Sequence, residues 1–467
     1  MSDSFLHPAR RTELNDRHKA KEGRYVLYWM QASQRAAWNP ALEYAVETAN
    51  AAGLPLRVVF GLTSRYPEAN ARHYTFMLEG LRETQEALAR RSIPLTVLPG
   101  KPPAVAVEAA RDAACLVCDL GYLRHQRAWR REVAAEVPCR AVAVEGDAII
   151  PVATASDKAE YAARTLRPKI HRHLPDFRTP IPEIPLKTSD PDGAPAGIDL
   201  ADIPGVIADL GLDRSVPPVS AIYRGGTAEA ERRFEIFRRE VLPRYADNGN
   251  QPQTGDVSHI SPYLHFGQIS PLYLLRQVEA LGGDAPEARS AYIEELLVRR
   301  ELAINHVWYR PDYDRFSTLP AWARTTLADH ADDPRTPTYT EAELDRAATH
   351  DPYWNTAMAE MRKTGFMHNY MRMYWGKKVL EWTPDPERAF GTLLRLNNRY
   401  FLDGRDPGSF AGVGWIFGLN DRAWKERPVF GKVRYMAASG LERKCDIAAY
   451  VRRIAAIPEP DWPDDLK

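Results

Sequence analysis

YVLYWMQASQRAAWNPALEYAVETANAAGLPLRVVFGL (residues 25–62) opens on a short apolar run, passes through an amphipathic stretch that ends in a polar break, and closes on a second apolar run. Short continuous apolar runs flanking a helical pattern are the signature of a βαβ unit whose strands are buried on both faces. The pattern continues: LTVL (95–98), CLVCDL (115–120) and AVAVEGDAII (141–150) follow at a spacing of about thirty residues, separated by amphipathic segments such as RHYTFMLEGLRETQEALARR (72–91). This half of the chain predicts a parallel, Rossmann-like sheet covered by helices on both faces.

Ligands of such sheets bind at the carboxyl ends of the strands. Neither GxGxxG after the first strand nor GxxxxGK[ST] anywhere is present, which argues against a dinucleotide or P-loop site. Residues 174–220 carry nine prolines without a sustained apolar period and read as a connector. Beyond Ala221 the pattern is helical almost throughout, as in SAYIEELLVRRELAINHVWY (290–309) and DPERAFGTLLRLNNRY (385–400). The predicted fold class is an α/β N-terminal domain over 24–172, a proline-rich linker over 173–221 and an all-α C-terminal domain over 222–460.

The length, 467 residues, suits two domains. The chain is 44% hydrophobic and 27% charged, with no apolar run long enough to span a bilayer, and its basic N-terminus lacks the apolar core of a secretory signal. A soluble, cytoplasmic protein is expected, associated with the nucleoid in a prokaryote. Only four cysteines occur; Cys115 and Cys118 form a CxxC, but within an apolar strand pattern they read as core, not as a redox or metal pair. Net charge is zero, so only a local basic patch could hold a polyanion.

Five of the eleven tryptophans fall between 354 and 424, denser than core packing requires. MRMYWGKKVLEW (371–382) spaces Arg372, Trp375 and Trp382 so that a helix puts them near one face, with the indoles about 10 Å apart along the axis. A buried row of indoles can pass an electron by hopping, and an ordinary apolar stripe has the same spacing. In SHISPYLHFGQISPLYL (258–274), Ser258 and Ser261 beside Pro262 could hold a phosphate at a helix start or simply cap it.

SPYLHFGQIS resembles the flavin phosphate-binding segment of the photolyase and cryptochrome superfamily. EELLVRREL (294–302), DPYWN (351–355), MHNYMRMYWGKKVLEW (367–382), LNNRYFLDGRDP (396–407), WKERPVFGKVRYM (424–436) and, near the N-terminus, YWMQASQR (28–35) are similar to segments of its class II branch, in the same order. The resemblance implies a class II cyclobutane pyrimidine dimer photolyase: light-dependent repair of DNA by electron transfer from reduced FAD, with 8-hydroxy-5-deazaflavin, another pigment or no antenna chromophore in the N-terminal domain. It implies FAD contacts at Tyr245, Ser258, His259, Ile260, Ser261, Leu264, Gln268, Arg372, Asp403 and Asp406, with Arg372 and Asp403 paired at the flavin's polar edge. Asn397 stands beside flavin N5, where a neutral amide accepts the N5 proton's hydrogen bond.

By the same resemblance, Trp375 lies nearest the flavin, Trp354 farther out and Trp382 is an accessory electron carrier, with Tyr339 as a terminal donor. Glu295 hydrogen-bonds the dimer, although EELLVRRE also reads as a solvent-facing amphipathic helix. Met373 and Trp415 wall the dimer, with Trp424 nearby, and Arg427, Lys432 and Arg434 hold the backbone of double-stranded DNA. Arg299 departs from the branch, some members of which carry tryptophan there. No metal and no obligate protein partner is implied, and a monomer is expected. A light receptor with the same cofactor, a photolyase of another branch, and an unrelated α/β nucleotide-binding protein are the alternatives. The end of the chain soon after the helical region disfavours the receptor.

Overall fold

Five parallel strands and one antiparallel edge strand form a single sheet: β1 Arg11–Glu13, β2 Tyr25–Trp29, β3 Leu56–Leu62, β4 Leu95–Pro99, β5 Ala113–Asp119 and β6 Arg140–Val144, in the order β1-β6-β5-β2-β3-β4. The computed structural model describes residues 4–20, 22–190, 193, 195–282 and 285–462. Helices α1 Pro40–Ala52, α2 Ala71–Arg90, α3 Pro102–Ala109 and α4 Arg124–Glu136 connect the parallel strands. Every residue of β2 and β5 is buried, as the unbroken apolar runs require.

Three local expectations change. β1 is too short to show a period in the sequence, yet it pairs with β6 and carries the sheet outside the expected limit at residue 24. The run expected as a strand over 141–150 leaves the sheet after Val144. From there the Glu145 carboxylate accepts the Val152 N–H, and the Ile149 and Ile150 N–H groups turn to Glu301. The boundary drawn at 172 falls inside the Ala163–Phe177 helix, which runs through Pro168 and Pro175. The connector is also not structureless: Ile203–Asp209 is helical and buries Ile203, Val206 and Ile207 against the α2 side of the sheet. Cys115 and Cys118 lie buried within β5, and burial pushes their thiols up to about 11 and about 12.

In the helical half, Asp-Pro pairs set the starts. Asp351, Asp385 and Asp406 cap the Pro352–Thr364, Pro386–Tyr400 and Pro407–Ile416 helices through carboxylate oxygens 2.7–3.2 Å from the first free N–H groups. The Asn369–Trp382 helix packs so closely on Pro407–Ile416 that a Cβ at Gly376 would stand 2.1 Å from Ile416 Cδ1. Among the described residues, no helix is long and apolar enough to cross a membrane.

Polar contacts join the two halves. Arg72, 1% exposed at the start of α2, donates to the carbonyl oxygens of Pro217, Met361, Arg362 and Tyr400 at 2.6–3.3 Å. Asn70 donates to the Arg399 carbonyl at 2.8 Å, and the His73 ring lies 3.0 Å from that of Phe401. The last turns of two helices in the helical half are therefore satisfied by side chains from the sheet half. Gly267, at φ 64°, passes so near Ala32 that a Cβ would lie 2.0 Å from its carbonyl oxygen.

Arg72→Met should leave several buried carbonyls unpaired and lower unfolding stability by at least about 3 kcal/mol, measured by urea denaturation. Burial raises the Glu301 carboxyl to about 8, and its second oxygen has no hydrogen-bond partner among the described residues. A carboxyl raised in the folded state contributes stability at low pH that is lost as pH climbs from the ordinary carboxylate range through about 8. Glu301→Gln should therefore flatten the fall in melting temperature between pH 5 and pH 8, while Glu145, raised to about 7, keeps part of the slope.

Candidate functional site

The Ser261–His265 helix, the Glu294–Arg299 turn and the Asn369–Trp382 and Pro407–Ile416 helices enclose a cavity of about 340 Å³, within the range of small-molecule sites. Tyr245, Ser258, Ile260, Ser261 and Leu264 line one side, and Arg372, Asp403 and Asp406 another. Ser261 makes no capping bond, and the Ser258 hydroxyl meets Tyr292. Arg372 presents Nη2 at 3.0 Å to both oxygens of Asp403, donates from Nε to the Met367 carbonyl and lies 3.9 Å over the Phe401 ring. Burial works against the Asp406 carboxylate. The His265 hydrogen bond and the charges of His265 and Arg300 outweigh it and hold the group below its ordinary value.

Glu295, Met373 and Trp415 also line the cavity. Glu295 lines the cavity while staying open to solvent; desolvation pushes its carboxyl up against the pull of Arg299. Sequence reasoning missed Tyr292, Asn369, Ser409, Gly412 and Asn420 in the lining. The small residues of PGSFAGVG (407–414) were the available signal, since a helix without bulk on one face leaves room for a ligand.

Three expected cofactor contacts lie elsewhere. Gln268 is fully buried, accepts the Gly226 N–H at 2.8 Å and donates to the Phe76 carbonyl, because the turn at Gly267 directs it toward α2. His259, at φ 55°, sends its ring 2.6 Å from the Tyr223 hydroxyl and against Phe366; burial lowers it to about 4 and keeps it neutral. Asn397 is buried behind the lining, its side-chain amide donating to Asn398 at 3.0 Å and its backbone carbonyl accepting the Phe401 N–H at 3.0 Å.

Trp354, Trp375 and Trp382 are all buried. Trp354 donates from Nε1 to the Trp375 carbonyl at 2.9 Å, and its ring centroid lies 5.6 Å from that of Trp382. Trp382 in turn lies 5.2 Å from Tyr339, whose hydroxyl meets His350 at 2.7 Å. Ring contacts therefore run Trp354, Trp382, Tyr339, which puts Trp382 between two aromatic neighbours and not to one side.

Trp424 is not a cavity wall. Positive φ at Gly418 and Asn420 turns the chain outward, and Trp424, 39% exposed, sits on a hairpin closed by the Arg427–Gly431 bridge and by the Trp424 N–H to the Lys432 carbonyl. Arg434 and Arg427 lie over Trp424 and Tyr435 at 4.9 and 3.2 Å, and Lys432 shares the hairpin. Thr326 and Asp333 anchor it by accepting the Lys432 and Val429 N–H groups. A second cavity, of about 100 Å³, opens at the carboxyl ends of β2 and β3, between Tyr66, His73, Tyr74, Trp129 and Phe266.

The fold is that of the photolyases and cryptochromes. A class III photolyase from Agrobacterium tumefaciens superposes with a TM-score of 0.74 at 18% identity, over 93% of this chain and 87% of that one. A Synechocystis cryptochrome gives 0.68 at 14%, over 93% and 99%. Residues 26–186 match the DNA photolyase family. The deoxyribodipyrimidine photo-lyase of Methanothermobacter thermautotrophicus is 50% identical over 97% of this chain and 99% of its own length. The enzymes of the same name from Potorous tridactylus and Oryza sativa are 39% and 40% identical, over 94% and 92% of this chain and 83% and 87% of theirs. The chain belongs to the deoxyribodipyrimidine photo-lyase family.

Proposed function

We propose that this protein is a class II photolyase that binds FAD in the large cavity and, under blue or near-UV light, splits cyclobutane pyrimidine dimers in double-stranded DNA. The observation that carries the reading is one cavity in which the Ser258–Leu264 segment and the Arg372–Asp403 pair meet Glu295, Met373 and Trp415. The cavity also fits the cofactor. Ser261 on its lining makes no capping bond, and a Cβ added at Gly412, also on the lining, would meet nothing within 4 Å, so lining volume remains open.

When bound and reduced, FAD supplies light-driven transfer of one electron to the dimer, which returns after the ring opens. Ser258 and Ser261 are placed to hold its phosphates. Arg372, held in place by Asp403, is the cation at the cofactor edge that carries negative charge. Trp375, Trp354 and Trp382 form the route by which the cofactor is reduced, with Tyr339 at its outer end. Met373 and Trp415 wall the flipped dimer, and Glu295 in the same lining is the carboxyl that hydrogen-bonds to it. Arg427, Lys432, Arg434 and Trp424 on the exposed hairpin hold the DNA.

The second cavity, lined by aromatic rings at the strand ends, is where an antenna chromophore of the 8-hydroxy-5-deazaflavin type would dock, and its volume of about 100 Å³ requires the walls to open for it. The sheet half is then the antenna domain, the proline-rich segment a connector and the helical half the FAD- and DNA-binding domain of a monomer that acts with cytoplasmic DNA.

The photoreduced protein should remove dimers from duplex DNA under light and not in darkness, scored by chromatography of the digested DNA. Equal loss in both, or no loss despite a fully reduced flavin, overturns the reading. Trp375→Phe should cut the rate of flavin photoreduction at least tenfold, an order-of-magnitude expectation for losing one hopping site. Repair by the chemically reduced variant should stay within about twofold of wild type. Absorbance during illumination checks the first and dimer loss the second.

A further inference from the structure

Arg299 ends a stretch, Glu294–Arg299, that winds as a π-helix. In a regular α-helix, residues five apart point to different sides, whereas the wider π turn brings them into line. Arg299 Nε accordingly stands 3.3 Å from a Glu294 oxygen, without hydrogen-bond geometry. That carboxylate is already held by Arg167, through Nε at 3.0 Å and Nη2 at 2.7 Å. Two guanidinium groups share one carboxylate, so the ion pair with Glu294 claims Arg299 only in part.

Three arginines line the cavity: Arg299, Arg300 and Arg372. Arg372 is taken up by Asp403, and Arg300 donates to the Asp147 carbonyl. The terminal nitrogens of Arg299 make no hydrogen bond among the described residues. Its guanidinium lies 5.9 Å from the Trp415 ring, and its side chain is 39% exposed, so it sits at the rim and not on the floor.

We propose that Arg299 is an anion subsite at the rim of the dimer pocket, and that it takes the phosphodiester joining the two flipped pyrimidine nucleotides. The proposal rests on the reading of the cavity given above. A dimer turned out of the helix carries its linking phosphate with it, and that charge loses solvent as it reaches a rim built from Trp415 and the Glu294–Arg299 turn. A planar fork with free N–H groups matches two phosphate oxygens, whereas a neutral side chain offers only stacking. Arg299 acts on the charge of the linkage and leaves base recognition to Glu295, Met373 and Trp415.

The test compares duplexes carrying one dimer joined by its natural phosphodiester or by a neutral methylphosphonate, with binding measured in the dark. Wild type should bind the neutral linkage about tenfold more weakly, the effect of losing one charge-assisted hydrogen-bond pair. Arg299→Leu should bind both duplexes alike, at about the affinity of wild type for the neutral one, and Arg299→Lys should keep part of the preference. Flavin absorbance of the purified variants reports an intact fold. Indifference of the wild type to the linkage overturns the subsite even if no variant folds, as does an undiminished preference in Arg299→Leu. A wild type that does not distinguish dimer-containing from undamaged duplex overturns the function itself, and is a different result from either.

Discussion

Arg72 is a cation buried without a carboxylate, and the assembly of the two halves depends on how that cost is met. Desolvation pulls it down to about 9, still high enough to keep it charged at neutral pH. Four carbonyl oxygens take the place of a counter-ion. Two of them belong to the final turn of the Pro352–Thr364 helix and one to the end of Pro386–Tyr400, where carbonyls have no helical partner and the helix dipole is negative. The exchange is mutual: the sheet half buries a charge only because the helical half offers helix ends, and those ends are buried only because the charge satisfies them.

This contact has consequences for the site. The Pro352–Thr364 helix carries Trp354, and Pro386–Tyr400 carries Asn397 and leads into the turn with Asp403 and Asp406. Fixing their C-terminal ends against α2 places the indole row and the acidic turn in one frame. A second buried cation continues the frame. Lys377, pulled down to about 7 by burial, donates to the Ile416 carbonyl and so holds the end of the helix that bears Trp415 to the helix that bears Met373 and Trp375. Positions around the cavity are therefore set by polar contacts to helix ends as much as by apolar packing.

The separation of neutral from charged groups follows the same logic. Arg372 and Asp403 neutralise one another at the lining, Asp406 is held below its ordinary value by His265 and Arg300, and the Glu295 carboxyl is pushed up by desolvation against Arg299. Three carboxyls around one cavity thus have three environments. Each is decided by whether a cation stands next to it, and in the case of Glu295 the nearby Arg299 is half claimed by Glu294.

Much of this was legible in the residues themselves. Unbroken apolar runs dictate strands covered on both faces, Asp-Pro pairs dictate helix starts, and the spacing of Trp375 and Trp382 puts both indoles near one face of a helix. Those signals are local, because periodicity and capping involve neighbours a few residues away. What only the tertiary structure decided are the non-local outcomes. Gln268 and Leu264 stand in one motif, yet the close approach of Gly267 to Ala32 sends the first to α2 and leaves the second in the cavity. Trp424 and Trp415 are nine residues apart, yet positive φ at Gly418 and Asn420 puts one on an exposed hairpin and the other in a wall. No local pattern distinguishes an arginine held by a carboxylate from one left free at a rim, since that depends on which distant side chain, here Arg167, reaches the carboxylate too.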